Sequence, residues 1–350
     1  MAEPERVVSL SQHVEEIAGR KIAQIRRITE ETEVLALNAS IEAARAGADG
    51  RGFAVVARAV HDVSARIREI SGELSTELAS AIRELTMLGS EIVRQIRGER
   101  LANLAHNMIE IIDRNLYERS CDVRWWATDA ALVAALASPA VETAQHASRR
   151  LGVILGSYTV YLDLWIADVS GRVVASGRPD RYRAVLGSSV ANEDWFRQAL
   201  ATHSGEDYVA CNIARRPLLG DAQVATYATA VRAGGRNDGE PIGVLGIFFD
   251  WQPQAKAVLD GVRLDDDERA RSRCLLVDAD HRVIATSGEG GVLTEKFALK
   301  TQGKKTGYYL DEAGDQVGFA LTPGYETYRG LGWYGVVVQH PLARAGDGAA

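Results

Sequence analysis

The stretch LALNASIEAARAGADGRGFAVV, residues 35–56, decides how the first part of the chain folds. Its Ala, Leu, Ile and Glu residues form helix readily, yet Gly47, Gly50 and Gly52 interrupt the run within six residues. Helix-forming residues resume immediately after them. Because glycine adopts a positive φ without steric cost, we expect all three glycines to serve a tight reversal. The stretch therefore predicts an antiparallel helical hairpin with a compact tip.

The arm that follows the glycines carries the most regular apolar pattern of the chain. Its apolar residues are spaced alternately by three and four, the heptad pattern of a coiled coil: Phe53, Val56, Val60, Val63, Ile67, Ile70 and Leu74. We expect this stripe to face a partner helix. After Leu74 the spacing changes to 4, 4 and 3, a stutter that locally unwinds a supercoil.

The composition changes near residue 120, where a helical front gives way to a body rich in prolines, aromatics and β-branched residues. The body contains an internal repeat. LWIADVSGRVVASG (164–177) and LLVDADHRVIATSG (275–288) align at an offset of 110 residues, so that Asp168 matches Asp278. Each copy is an apolar strand, an Asp-containing turn and a second strand, the pattern of a β-hairpin.

Further strands and helices are predicted around the two copies. The strands are 208–213, 224–232 and 242–250 after the first copy, and 307–311, 316–321 and 333–339 after the second. Residues 99–118 and 129–155 are predicted helices that lead into the first sheet. Two related antiparallel sheets with helices between strands favour a tandem α+β sensor over a parallel-sheet enzyme. The expected fold class is thus mixed, a long helical hairpin followed by an α+β body.

Composition argues against several classes of function. The 350 residues have a net charge of −7, which disfavours a nucleic-acid or anionic-membrane surface. No apolar run approaches the ~20 residues that cross a bilayer, and no signal peptide is evident, so we expect a cytoplasmic protein without direct membrane insertion. The three cysteines and seven histidines have no metal-ligand spacing. We expect no metal, no cofactor, no catalytic residues and no enzymatic activity.

The tip resembles the signalling hairpin of bacterial methyl-accepting chemotaxis proteins. The matching residues are LALNASIEAARAG, the two-residue tip AD, and GRGFAVVA. The resemblance implies a homodimeric four-helix bundle, higher receptor clusters, and binding of the chemotaxis histidine kinase CheA and its coupling adaptor CheW. It places these contacts on Val34, Asn38, Glu42, Arg45, Phe53, Val55 and Val56.

Two departures from the family pattern affect its usual assembly and adaptation. The family usually has a large apolar residue at the position of Glu30, where dimers meet in trimers. A carboxylate there would be costly to desolvate, which argues against trimers in the usual geometry. The arms are also short for the family, and no convincing pair of methylatable glutamates lies on them. We therefore expect no adaptation by glutamate methylation.

The body resembles a double Cache domain, a sensor with a long helix and two PAS-like modules. The resemblance lies in the repeat, NEDWFRQAL (192–200), GVLGIFFDW (243–251) and GLGWYGVVVQHP (330–341). The expected domains are the hairpin over 1–98 and the sensor over 99–345. Within the sensor, 99–262 would form the long helix and first module, and 263–345 the second. The resemblance implies a small-molecule ligand in the first module.

Aromatic residues surround the expected ligand site, which suits a pocket with apolar walls and few polar groups. The candidates are Tyr182, Trp195, Phe196, Tyr208, Tyr227 and Asp250. Trp195 and Phe196 could instead simply fill the core. Family members that bind amino acids carry an Arg two residues before the Trp, but here that residue is Glu193. Glu193, Asp194, Asp207 and Asp250 favour an amine or cation, while a purine or an organic acid remains open.

Three functions follow from these features. The first is a soluble, chemoreceptor-like signal transducer that binds a ligand in the first module and relays it through the tip to the kinase and adaptor. The alternative is a dimeric sensor without kinase control that acts as a decoy or sequestering partner, which Glu30 and the short arms favour. An enzyme that uses the α+β body is the third and the least supported.

Overall fold

The structure is a computed structural model that describes residues 3–341, with side chains placed for residues 10, 11 and 13–341. The chain divides into two compact units between Arg97 and Gly98. Residues 1–2 of the expected hairpin domain and residues 342–345 of the expected sensor domain lie outside the described residues.

The first unit is an antiparallel pair of helices, as the glycine-interrupted stretch predicts. Helix α1 spans Glu3–Arg45, and helix α2 spans Arg51–Trp126 and contributes residues to both units. The side chains of Arg68 and Glu33 form an ion pair between the two antiparallel arms. The predicted hairpin is confirmed.

The two arms approach each other through small side chains at seven-residue intervals. The buried small side chains at this spacing are Thr29, Ala36 and Ala43 on α1, and Ala57, Ser64 and Ser71 on α2, and the larger Ile22 and Ile82 are buried as well. The larger apolar stripe predicted to face a partner helix points away from this contact, and Val63 is 55% exposed. Small side chains let the helix axes approach closely, so they form much of the contact between the arms, while most of the large apolar side chains remain outside.

The three tip glycines have different roles. Gly47 has φ +59°, the left-handed conformation expected of a reversal. Gly50 lacks a positive φ, but a Cβ atom there would lie 2.1 Å from the Ala43 carbonyl oxygen, so it is required for close approach. Gly52 lies inside α2 in open space. The expectation that all three supply positive φ is therefore wrong for Gly50 and Gly52.

Two shorter helices follow α2 in the second unit. Helix α3 spans Ala130–Ala137 and helix α4 spans Val141–Ser157. Asp129 caps α3 by accepting a hydrogen bond from the Ala131 amide. The single helix predicted over 129–155 is thus two helices. Pro139 explains the break, because the residue before a proline is disfavoured in helical conformation.

The first sheet has six antiparallel strands. They are β1 (Tyr161–Asp168), β2 (Val173–Ser176), β3 (Val209–Ala210), β4 (Ala214–Arg216), β5 (Ala222–Arg232) and β6 (Pro241–Asp250). The order is β2-β1-β6-β5-β3, and β4 also pairs with β5. Helix α5, Asp194–Leu200, lies between β2 and β3 in the chain. The strand predicted over 208–213 is shorter in the structure, where it is β3, and β4 was not predicted.

The second sheet repeats this order with five strands. Helices α6 (Trp251–Asp260) and α7 (Asp266–Ala270) precede β7 (Ser272–Val277), β8 (Val283–Thr286), β9 (Thr306–Leu310), β10 (Gln316–Leu321) and β11 (Tyr334–Gln339). The order is β8-β7-β11-β10-β9. The predicted tandem of antiparallel α+β modules is confirmed.

The repeated aspartates hold equivalent turns in the two modules. Asp168 Oδ1 accepts hydrogen bonds from the amides of Ser170 (2.9 Å) and Arg172 (3.1 Å). Asp278 Oδ1 does the same for the amides of Asp280 (3.0 Å) and Arg282 (2.9 Å). An aspartate that accepts from backbone amides two and four residues on stabilises a tight turn between strands.

Candidate functional site

Helix α5 places the predicted aromatic pair against one face of the first sheet. Trp195 and Phe196 are buried, with ring centroids 6.1 Å apart and nearly perpendicular planes. The Trp195 ring also lies 5.7 Å from that of Phe248 on β6. A Cβ atom at Gly246 would lie 2.8 Å from Trp195 Cζ3, so this glycine makes room for the indole. Both aromatic residues are part of the apolar cluster on this face.

Strand alternation divides the six predicted ligand residues between the two faces of the sheet. Tyr182 packs against the Trp195 cluster, as do Phe196 and the strand residues that face α5. Tyr208 and Tyr227 stack with centroids 6.2 Å apart in the other cluster, the one that includes α2. Successive strand residues point to opposite faces, and Tyr227 is adjacent to Ala228 of the Trp195 cluster.

Asp250 lies at the end of β6 on the α5 face, two residues after Phe248. Burial raises the pKa of its carboxyl group, and the Arg181 guanidinium partly opposes this. Burial also raises the pKa of the Tyr182 phenol, with Arg181 acting in the opposite direction. The structure thus brings four of the six predicted residues to one face: Tyr182, Trp195, Phe196 and Asp250.

Arg216 is a residue of this site that the sequence did not reveal. It lies on β4, and its guanidinium forms an ion pair with Glu193, the residue before α5. Its Nη2 also lies 3.4 Å from Thr226 Oγ1 on β5. Only 16% of the Arg216 side chain is exposed, which makes it a cation held close to the sheet. The pair joins residues 23 apart, and no local pattern indicates it.

Cys211 lies beside this ion pair, on the same face as Trp195. Burial raises the pKa of its thiol, and Arg216 partly opposes the shift. Glu193 and Asp194 act in the same direction as burial. The thiol is therefore neutral near pH 7 and contributes an apolar lining rather than a nucleophile.

The hairpin tip exposes the side chains that the sequence assigned to partner contacts. Val34, Asn38, Phe53, Val55 and Val56 are all exposed, and Phe53 is 75% accessible. The two remaining residues, Glu42 and Arg45, are three positions apart on α1, and Arg45 Nη1 lies 3.4 Å from Glu42 Oε2. The structure therefore places all seven residues on the surface around the reversal.

An apolar groove runs along one side of the hairpin, between the two arms. Its volume is about 540 Å³, and it is lined by Ile25, Ile28, Thr29 and Thr32 of α1 and by Val55, Val56, Ala59, Val60, Val63, Ser64 and Ile67 of α2. Most of the predicted heptad stripe borders this groove. Within residues 3–341 no helix is long and apolar enough to span a bilayer, and no cluster of three metal-ligating side chains occurs there.

The signalling hairpin matches a known family over its whole described length. Residues 3–116 match the model of the methyl-accepting chemotaxis protein (MCP) signalling domain. This part of the chain is therefore similar to the signalling domain of that family. The resemblance inferred from LALNASIEAARAG and GRGFAVVA is thereby confirmed.

Two relatives of known name match less than a third of this chain. The methyl-accepting chemotaxis protein NahY of Pseudomonas putida is 38% identical over 105 residues, 29% of this chain and 19% of that protein. The biofilm dispersion protein BdlA of Pseudomonas aeruginosa is 44% identical over 103 residues, 27% of this chain and 24% of that protein. The chain thus spans less than a quarter of the length of these relatives.

The sensor part has relatives by fold. The extracellular domain of rpHK1S-Z16 superposes with a TM-score of 0.52 at 14% identity, over 69% of this chain and 94% of that domain. The likeness is one of fold, a long helix followed by two antiparallel modules. Because the identity is so low, it carries information on the fold alone.

Proposed function

We propose that the chain is a chemoreceptor-like signal transducer in which ligand binding to the sensor alters the output of the MCP signalling hairpin. The observation that supports this most directly is the combination in one chain of an exposed MCP tip with a double Cache fold. Its domains would be the hairpin over 1–98 and the sensor over 99–345, with modules at 99–262 and 263–345. We propose no catalytic role for either.

CheA and CheW are the proposed partners of the tip. Phe53, Val55 and Val56 expose large apolar surface beside the reversal, and such surface on a slender hairpin suits a protein contact. These partners act in the cytoplasm, so we propose that compartment for the chain.

A reconstituted kinase assay tests the coupling. Purified full-length protein, added to CheA and CheW, should change the rate of CheA autophosphorylation, and Phe53→Ser should abolish the change. Arg58→Ser is the matched control, because Arg58 is also solvent-exposed on α2 but lies outside the seven tip residues. No effect of the unmodified protein on the kinase would overturn the proposal.

A second copy of the chain is the proposed occupant of the hairpin groove. The groove is apolar, continues along both arms, and borders the heptad stripe whose spacing fits a helical partner. Two hairpins that bury these stripes against each other would form a four-helix bundle. The active species we propose is therefore a homodimer, with higher clusters depending on the tip.

The first sensor module is the proposed ligand site. Tyr182, Trp195, Phe196 and Asp250 share the α5 face of its sheet and would contact the ligand. Tyr208 and Tyr227 lie on the opposite face, so the ligand would affect them only indirectly, through the sheet. The ligand would bind more tightly to one of two packings of the helices than to the other. Its binding would therefore increase the population of the packing that it prefers. Helix α2 is the element that contributes to both units.

A decoy function without kinase control is the second candidate, and Glu30 favours it. Its carboxylate is exposed on α1, at the position where the family usually carries a large apolar residue for trimer contacts. On this hypothesis the protein binds CheW without altering CheA activity. Glu30→Phe should then produce trimers of dimers that cross-linking detects, and no gain of trimers would count against the decoy function.

A further inference from the structure

A cavity of about 210 Å³ lies between the two sensor modules. One wall is α6, the helix that joins the modules, and Gln223 at the start of β5 extends this wall. The other wall is β8 and the loop that follows it, which contains Gly288 and Gly290. Residues of both modules therefore build the cavity, within one compact unit.

The cavity is separate from the ligand site proposed on the α5 face. Val224 of β5 belongs to the apolar cluster around Trp195. Successive strand residues point to opposite faces, so Gln223 lies on the other side of the sheet. That side carries the apolar cluster to which Trp251 and Leu259 of α6 contribute. A molecule bound in the cavity would thus be a second ligand of the sensor.

No uncompensated charge faces the cavity from the described residues. Lys256 of α6 lines it, but Lys256 Nζ lies 3.0 Å from Asp260 Oδ2. Next to Gly288, the Arg273 guanidinium donates to both oxygens of the Glu295 carboxylate, at 2.9 and 2.7 Å. An ion would have to be desolvated without a free counter-charge to receive it, so the cavity favours a neutral ligand.

The polar groups of the cavity are two carboxamides and one hydroxyl, those of Gln223, Gln252 and Thr286. The Thr286 oxygen accepts hydrogen bonds from Arg273 Nε and the Gly288 amide, both at 3.1 Å, which leaves its own hydrogen to donate. Neither carboxamide forms a hydrogen bond with another described residue. Each carboxamide offers a donor beside an acceptor, so it matches a ligand that carries the same pair of groups.

The apolar lining comes from two sides. Ala255 and Leu259 belong to α6, and Ile284 belongs to β8. Where the two sides meet, Trp251 Nε1 donates to the Ile284 carbonyl oxygen at 2.6 Å and joins α6 to β8. A ligand held here meets apolar surface on both faces and polar groups at its edge. This arrangement suits a flat heterocycle better than a sugar, whose hydroxyl groups surround the ring.

The size of the cavity limits the ligand to a single small ring system. Its volume equals that of about seven water molecules, at about 30 Å³ each in the liquid. The two loop glycines keep this space open. A Cβ atom at Gly290 would meet nothing within 4 Å, and one at Gly288 would have its nearest neighbour 3.5 Å away. A larger side chain at residue 288 would therefore extend into the cavity.

We propose that this cavity binds a small, neutral, planar heterocycle whose edge carries a hydrogen-bond donor next to an acceptor, the class of the nucleobases and the pyridine carboxamides. The ring lies between the apolar walls of α6 and β8. Its edge pairs with the carboxamide of Gln223 or Gln252, as glutamine pairs with the edge of adenine, and Thr286 donates to a further acceptor. Because the ligand contacts both modules, its binding holds α6 and β8 in one arrangement.

Isothermal titration calorimetry and thermal shift on the full-length protein test the ligand class. The neutral probes are adenine and nicotinamide. Nicotinate and 3-(aminomethyl)pyridine present the same pyridine ring with a negative or a positive charge, and glucose represents the sugars. We expect adenine or nicotinamide to bind and to raise the Tm, because a ligand that binds only the folded state stabilises it. Tighter binding of a charged pyridine or of glucose, or binding of no probe, overturns the inference.

Filling the cavity tests its location. Gly288→Leu should abolish binding, because the leucine side chain occupies the open space and Gly288 lacks the positive φ that would strain it. Glu289→Leu is the matched control, since Glu289 is an exposed residue of the same loop that does not line the cavity. It should leave binding unchanged.

Removing the carboxamides tests the recognition of the ligand edge. Gln223→Leu and Gln252→Leu should each weaken binding about three- to tenfold, the effect of one lost hydrogen bond. Gln254→Leu is the matched control, because Gln254 lies on α6 outside the cavity. Binding that neither glutamine substitution weakens overturns the proposal, whether or not the Gly288→Leu variant folds.

Discussion

The hairpin and the sensor solve the problem of burying apolar surface in opposite ways. In the hairpin, α1 and α2 meet through small residues such as Ala36, Ala43 and Ala57, and large apolar side chains such as Ile70 remain exposed. In the sensor, large side chains such as Trp251 and Phe249 are almost fully buried in a core that includes α2 residues from Leu101 onwards. One chain therefore completes the sensor core but leaves the hairpin with an apolar face to cover.

In both regions, glycine residues allow the backbones of two packed elements to approach each other closely. In the sensor, a Cβ atom at Gly318 would lie 2.4 Å from the Leu101 carbonyl carbon, and one at Gly335 2.3 Å from the Ala105 oxygen. These glycines let β10 and β11 lie directly against α2. In the hairpin, Gly50 has the same role toward Ala43. The difference between the regions is thus the size of the side chains beside the contact.

The largest effect is expected from a charge in the exposed stripe. Val63→Asp places a carboxylate where we propose that two hairpins meet, so each dimer would have to desolvate two charges. We expect association to weaken at least about 100-fold, corresponding to roughly 3 kcal/mol. Sedimentation velocity should show monomers, while the near-UV signal of the sensor is unchanged.

Thr76→Asp is the matched control for this charge. Thr76 is exposed and occupies the same heptad position as Asp62 and Glu69, which already carry acids. It should leave association unchanged. A Val63→Asp variant that stays dimeric would show that the groove faces solvent or another protein, and would remove the contrast between the two regions.

The next effect tests whether the sensor core is complete within one chain. Gly335→Ala should destabilise the sensor by about 2 kcal/mol, because the new methyl group meets the α2 backbone rather than a movable side chain. Urea unfolding followed by tryptophan fluorescence measures the change. Gly156→Ala, on α4 in open space, should be neutral or slightly stabilising. Equal effects of the two substitutions would mean that β11 does not rest on α2 as described.

The third prediction compares two glycines at the tip of the hairpin. Gly50→Ala should destabilise the hairpin by about 1–2 kcal/mol, because its Cβ atom meets the Ala43 carbonyl oxygen. Gly52→Ala should stabilise it by about 0.5–1 kcal/mol, because alanine is the better helix former and the space is open. Far-UV circular dichroism on heating measures both. Opposite signs are the expected result, and a shared sign would contradict the described tip.

Local patterns explain what the sequence predicted correctly. The glycine-interrupted helix and the repeat around Asp168 and Asp278 depend on neighbouring residues, and both are confirmed. Whether the heptad stripe of α2 faces α1 or solvent depends on which surfaces of these two helices meet, and neighbouring residues do not determine this. The residues that do form the contact between the arms are small and recur every seven positions from Thr29 to Ser71. They differ little in hydrophobicity from their neighbours, so a search for apolar periodicity does not identify them.

Tertiary contacts explain what the sequence could not show in the candidate site. The sequence groups Tyr227 with Trp195 because both are aromatic residues of the first module, yet the register of β5 places Tyr227 on the opposite face. The partnership of Glu193 with Arg216 depends on how α5 packs over β4. Neither arrangement can be derived without the pairing of the strands.

The smallest effect concerns the contact between the two sensor modules. Asn212, between β3 and β4, donates from Nδ2 to Asp278 Oδ2 at 2.8 Å, and Arg282 Nε donates to the same oxygen at 3.0 Å. Asn212→Ala should cost about 1–1.5 kcal/mol of sensor stability at pH 7, because it removes a hydrogen bond to a charged group. Asn192→Ala, at an exposed position of the same module, is the control and should be neutral.

The stability cost of Asn212→Ala should also depend on pH, which gives a second test of the contact between Asn212 and Asp278. Burial alone would raise the pKa of Asp278, but hydrogen bonds from Arg282 and Asn212 outweigh it and hold the pKa below its ordinary value. A carboxyl group with a lowered folded-state pKa stabilises the fold above its unfolded-state pKa, and this contribution is lost as the pH falls through the folded-state value. The cost of Asn212→Ala, measured by urea unfolding, should therefore shrink between pH 5 and pH 3. A cost that stays constant over this range would show that Asn212 does not stabilise the Asp278 carboxylate, and that the two modules are joined mainly by apolar packing around Trp251 and Trp333.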